Sequence, residues 1–272
     1  MCALLDPTAD PADAPALAEA AAARTVAIVE RLVALPPAGL AAPSALAGWS
    51  RLTIACHLRY GAIAARRMTG ATLAGEATSF YPGGRATERP ATLEPGPGEA
   101  PAGVIAGLAV TSDRLAAVWA GLAPDDWAAP VREPAGNADL GAITLATLAL
   151  LRLTEVEVHG SDLGLGLDTW SEPFLAAALP FRVAWTAARR SPGSLTGRWV
   201  LEATDEPAFR LTAHANGATA EATDRAEPGE AVVKGARRDL LALLLGRPPI
   251  GDLAYEGDGA LARRFNEAFP GP

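Results

Sequence analysis

Residues 152–166 read RLTEVEVHGSDLGLG, and the fold follows from how that stretch winds. At about 100° per residue, Leu148, Leu151, Arg152, Glu155, His159 and Asp162 share one face of a helix running from about residue 140 to 163. Glu157 falls on the opposite side and is expected in solvent. Glu155 therefore faces the interior, one turn from His159.

Working outward, three further helices are expected. Residues 13–35 carry Leu17, Ala21, Ile28, Leu32 and Leu35 at helical spacing and stop at Pro36-Pro37. Ser50 caps a helix to about Met68 whose apolar stripe is Ile54, Leu58, Gly61, Ala65 and Met68, with His57 on its edge. Residues 101–121 form the third, giving with 140–163 a four-helix bundle. Residues 70–98 are rich in Gly and Pro and are expected to form an irregular loop.

After Trp170 the pattern changes. A helix over 173–190 precedes alternating runs at 197–204, 208–213, 218–223 and 230–234, which predict an antiparallel sheet. A helix at 240–245, a strand near Leu253 and helical turns over 259–265 close the chain. The expected architecture is α + α/β with two domains, a bundle over 12–170 and a small α/β unit over 175–272.

With 272 residues, half of them hydrophobic and only 6% aromatic, the chain has an ample aliphatic core. Its net charge of -8, with no basic cluster, argues against nucleic acid and anionic membranes. Pro36, Pro37 and Pro43 interrupt the longest uncharged stretch, residues 32–50, so no membrane span is expected there. Cys2 sits at an irregular amino terminus and Cys56 beside His57, a usage that suits a reducing cytoplasm, and no signal peptide is recognisable at the start.

An inward carboxylate needs a compensating cation. Arg152 is one candidate. A divalent metal is the other: Glu155 and His159 at i and i+4 present donors on one face, and His57 adds a nitrogen from a neighbouring helix. Two histidines and one carboxylate leave a coordination position open, with zinc the default and iron or nickel alternatives. The same residues also read as hydrogen-bonded polar core groups. His214, the third histidine, falls in a predicted strand.

The segments GWSRLTIACHL (48–58), YPGGR (81–85) and RLTEVEVHGSDLGLG (152–166) resemble the mycothiol-dependent maleylpyruvate isomerase family of actinobacteria. That resemblance implies a DinB-like four-helix bundle with His57, Glu155 and His159 as metal ligands, and a sterol-carrier-like second domain. It also places Arg247, in the LLGR turn, toward the site, although Arg247 equally suits the negative end of a helix dipole. Mycothiol and a divalent metal are the implied cofactors, and the partners are a small electrophilic substrate and the thiol, on a monomer or homodimer in the cytoplasm.

In this reading the metal-activated thiolate adds to an electrophilic carbon of the substrate. Arg85 and Arg89 are candidate clamps for a carboxylate, or simply solvated. Asp162 can orient His159, act on a proton or close the helix. Cys56, about 100° away from His57, is expected to pack. Tyr81 and Trp49 are expected as core or loop anchors, or as pocket wall. Three outcomes remain open on sequence: an isomerase, a mycothiol S-transferase of detoxification or natural-product assembly, or a non-catalytic metal-stabilised ligand-binding module.

Overall fold

The computed structural model describes residues 4–204 and 208–271, so Cys2 lies outside the described residues. The chain divides into two compact units: Thr8–Phe174, and a second comprising residues 4–7 and everything from Leu175 onward.

The first unit is built on four long helices. Helix α1 (Ala14–Val33) is followed by the short α2 (Pro37–Ala41), then α3 (Arg51–Leu73), α4 (Arg85–Thr92), α5 (Pro101–Ala120) and α6 (Leu145–Asp162). The Ser50 hydroxyl accepts the Thr53 N–H and starts α3, and Thr144 does the same for α6 through Thr147. Helix α1 packs on α5 and α6, and α3 packs on α5 and α6. Ile28, Leu32, Ile54, Leu58, Met68, Leu108, Leu150, Leu153 and Val156 are fully enclosed between them. Each such aliphatic side chain contributes about 1.5–3 kcal/mol on burial. Helix α5 alone among the described helices is long and apolar enough to cross a membrane, but here Val104, Ile105, Leu108, Leu115 and Trp119 are buried in the bundle.

Two expectations change here. The stretch 70–98 contains α4, with Pro90 inside it. Its first turn is held by the Glu88 carboxylate accepting the Gly83 N–H at 2.8 Å, and by ring contacts described below. Helix α6 begins later than periodicity suggests because Ile143–Thr144 (β2) pairs antiparallel with Pro130–Val131 (β1).

Helix α7 (Glu172–Ala188) leads into a five-stranded sheet: β3 (Gly197–Ala203), β4 (Ala208–His214), β5 (Gly217–Thr223), β6 (Ala231–Gly235) and β7 (Ala254–Gly257), ordered β5-β4-β3-β6-β7. The sheet is mostly antiparallel, but β3 and β6 run parallel, with Val200 opposite Val232. Alternation within a strand cannot reveal this, because it reports faces and not neighbours. Helices α8 (Arg237–Leu244) and α9 (Gly259–Ala262) pack on β6, and α10 (Phe265–Ala268) follows. Trp199, Leu201, Leu211, Val233, Leu240 and Phe265 form this unit's core. Leu4 bridges to Glu221, and the Leu5 N–H donates to the Ala220 carbonyl, so the amino terminus extends the β5 edge. His214 is the exposed last residue of β4.

Candidate metal centre

The amino end of α3 and the carboxyl end of α6 are tied together before any site residue is considered. Arg51, in the first turn of α3, donates Nε–H to the Leu163 carbonyl at 2.9 Å and Nη1–H to the Gly39 carbonyl at 3.0 Å. The Ala45 N–H reaches the Asp162 carbonyl at 2.7 Å. Carbonyls left open at a helix end are thereby satisfied. The same bonds set α3 beside the last turn of α6.

Across that junction His57 Nε2 lies 2.5 Å from Glu155 Oε2, and His159 Nε2 lies 3.8 Å from the same oxygen. The two imidazole rings are edge to face with centroids 5.0 Å apart. Donor atoms of His57, Glu155 and His159 all fall within 4.8 Å of one another. The histidine side chains are 9% and 11% exposed while Glu155 is 39% exposed, so the cluster opens to solvent on its carboxylate side. His159 Nδ1 is bonded to Asp162 Oδ2 at 2.9 Å, which turns Nε2 toward Glu155. Two nitrogens and one carboxylate oxygen at this spacing fit a divalent ion. His57 Nδ1 is buried with no hydrogen-bond partner, so no second bond of its own orients that ring.

Trp49 supplies the orientation. Its indole stacks on His159 with centroids 5.8 Å apart and meets His57 edge-on at 5.3 Å. This contact is missed by helical periodicity because Trp49 precedes the cap of α3. The available signal was the Gly-Trp pair placed just ahead of Ser50.

Burial works against ionisation of Glu155, but the facing histidines, the His57 hydrogen bond and the Arg152 charge outweigh it and hold the carboxyl below its usual range. Arg152 does not pair with it by hydrogen bond. Its guanidinium crosses to the Leu58 carbonyl at 2.9 Å and Ser112 Oγ at 3.3 Å. Gly61 makes room for it, since a Cβ there would lie 3.0 Å from Arg152 Nη1.

Glu157 overturns its expectation. It is 1% exposed and lies 2.9 Å from Arg24 Nε, with Oε1 accepting the Ser171 N–H at 3.1 Å. Helix α6 is covered on two faces, by α1 and by α3, so the side opposite Glu155 is interior as well.

The remaining candidates separate by place. Arg85 lies over the Tyr81 ring and Arg89 over the Trp49 ring, each 5.6 Å from the centroid. Arg89 Nε is buried and has no hydrogen-bond partner. Tyr81 is buried and stacked on Tyr60 at 5.2 Å. Burial raises the phenol's pKa, Arg85 and Arg89 oppose that, and Glu155 adds to it, so Tyr81 stands within electrostatic reach of both triad and arginines. Arg247, in the second unit, donates Nη1–H to the Leu245 carbonyl at 3.3 Å, just past the carboxyl end of α8.

Cys56 is packed, at 1% exposure. Burial pushes its thiol up to about 11, with Arg59 opposing. Since the folded value lies above the ordinary 9.0, any stability it lends is held below that pH and lost as pH rises toward about 11. In the native protein Cys56 should resist iodoacetamide at about pH 8 and should label fully in denaturant, with peptide mapping to separate it from Cys2. Rapid labelling of Cys56 in the native state would contradict this placement.

A bundle with an open two-histidine, one-carboxylate cluster is thus the class that fold and geometry define. The chain belongs to the family described as mycothiol maleylpyruvate isomerase N-terminal domain, whose model matches residues 18–164. In fold it is similar to a crystal structure of the mycothiol-dependent maleylpyruvate isomerase, with a TM-score of 0.67 at 20% identity over 92% of this chain and 94% of that one. An alanine-for-histidine variant of that isomerase is similar to the same degree, at 19% identity and TM-score 0.67 over the same shares. No curated protein matches the chain.

Proposed function

We propose that this protein is a mycothiol-dependent metalloenzyme, acting on a small electrophilic substrate in the manner of a maleylpyruvate isomerase, in the cytoplasm. The observation that carries the reading is the convergence of His57, Glu155 and His159 within 4.8 Å. A divalent ion held there, zinc by default, supplies the Lewis acidity that favours a thiolate over a thiol near neutral pH.

The residues around the triad have distinct tasks. Asp162 accepts the His159 Nδ1–H and so directs Nε2 at the site. Trp49 walls both imidazoles. Arg89, with Arg85 beside it, offers a guanidinium fork for a substrate or thiol carboxylate. Tyr81 keeps its proton and can donate to an oxygen on which negative charge develops. Arg247 is carried as a further contact for an anionic group on the family resemblance. In the reaction, sulfur bonds to one carbon of the substrate double bond while the π pair moves to the conjugated carbonyl oxygen. Rotation follows about the resulting single bond. Return of the pair reforms the double bond in the trans arrangement and expels the thiolate, so the thiol is regenerated.

The test combines metal analysis with turnover of an unsaturated keto-acid in the presence of sulfur-labelled mycothiol. Stoichiometric metal, isomerised product and unlabelled product support the reading. Label retained in the product makes the enzyme an S-transferase, and absence of metal from reconstituted protein removes the mechanism. Asp162→Asn is expected to weaken metal binding by about 10–100-fold without loss of fold, as removal of a partner that orients a ligating histidine does. Metal titration against a chelator measures it, and unchanged affinity would show that Asp162 only closes the helix.

A further inference from the structure

The second unit contains a cavity of about 630 Å³ between the carboxyl end of α7, residues 191–195 and the chain around α10. Its lining includes four arginines, Arg182, Arg189, Arg190 and Arg264, against one carboxylate, Glu267. In a chain of net charge -8 that concentration of one sign is local and unusual.

The arginines differ in what they do. Arg264 and Glu267 neutralise one another at 2.9 Å on the exposed rim. Arg190 is a structural strut: its guanidinium donates to the carbonyls of Ala268, His214, Gly217 and Leu195 at 2.6–3.1 Å, binding α7 to the β4–β5 turn and to α10. Carbonyl dipoles hold that group without cancelling its charge. Arg182 has only the Leu244 carbonyl, 3.5 Å from its Nε, and no carboxylate partner among the described residues. Burial, and then the like charge of Arg189, lower its pKa to about 10. Arg189 lies over the Trp185 ring, with its charged carbon 3.9 Å from the ring centroid. Arg182, Trp185 and Arg189 stand at i, i+3 and i+7 and therefore share one face of α7.

We infer that this cavity binds a compact organic anion, with a carboxylate or phosphate head on Arg182 and an apolar body against Trp185 and Phe269. A desolvated cation without a counter-ion costs free energy that an anion recovers, and a guanidinium fork fits either head group. The volume lies within the range of small-molecule sites. The arrangement uses residues of the second unit alone, so it does not depend on the reaction assigned to the metal centre.

Isothermal titration of the full-length, metal-loaded protein with benzoate, phenyl phosphate and benzylamine tests the inference. One or both anions should bind, the cation should not, and comparison of the anions selects the head group. Arg182→Met should weaken binding at least tenfold, and so should Ser194→Trp, which fills the cavity mouth from an exposed position and keeps the test valid if Arg182→Met does not fold. His57→Ala should leave the affinity unchanged. Equal binding of benzylamine, no anion binding, insensitivity to the folded variants, or loss of binding in His57→Ala, which would move the anion to the triad, each overturns the proposal.

Discussion

Replacing His57 with alanine is expected to give a folded protein that no longer retains a divalent ion through gel filtration. Three donors from two helices converge within 4.8 Å, and His57 is the only one of the three on α3. Its loss leaves Glu155 and His159 on one helix, a two-donor chelate open to water. The affinity should fall by more than the roughly 10–100-fold that follows removal of an orienting partner. Mycothiol-dependent turnover should fall with it, since a free thiol is only a few per cent ionised at neutral pH. The fold should survive, because Glu155 is 39% exposed and its charge can be hydrated once the imidazole is gone. The cavity left beside Trp49 costs about 1–3 kcal/mol. Metal content by mass spectrometry, read beside a thermal melt, separates these effects. Full metal retention in the variant would mean that His57 is a polar core residue and not a ligand.

The largest stability change is expected elsewhere, at Glu157→Gln. Arg24 and Glu157 form a pair 12% and 1% exposed, and the Arg24 Nη2 also reaches the Leu167 carbonyl. Gly160 admits this guanidinium, since a Cβ there would sit 3.0 Å from Arg24 Nε. Neutralising the acid leaves a desolvated cation inside the bundle, at a cost of about 3–5 kcal/mol. For a unit of this size that is a fall in melting temperature on the order of 10 °C. Arg24→Met combined with Glu157→Leu should recover much of the loss, because an apolar pair needs no counter-charge. The exposed Arg198–Glu227 pair, 56% and 59% accessible, is the control, and its removal should cost less than about 1 kcal/mol. If Glu157→Gln melts no lower than Arg198→Ala, the interior pair has no such role.

These two residues mark how far reading the chain could go. Glu155 and His159 are four positions apart, and on a helix that spacing alone puts them on one face, whatever surrounds it. His57 could be placed at the edge of an apolar stripe by the same geometry. The same logic points Glu157 to solvent, yet it is buried, because angular position says which residues share a face and not how many faces are covered.

The other differences have the same origin. Trp49 reaches both imidazoles from a loop, where no period applies. Helix α4 forms in a stretch with poor intrinsic preference, braced by Glu88 on the Gly83 N–H and by the contacts of Arg85 and Arg89 with Tyr81 and Trp49. Strand β6 lies parallel to β3 because the chain returns across the sheet after the β4–β5 hairpin, and α8 and α9 then pack on β6.

From the order of residues alone came the four long helices, the cap at Ser50 that starts one of them, and the carboxylate–imidazole pair on the last. All of these depend on contacts within a turn or two. Which helices become neighbours, and so which charged side chains meet a partner and which meet water, was decided only when distant segments closed over α6. Local geometry sets direction, and burial is a property of everything that lies in that direction.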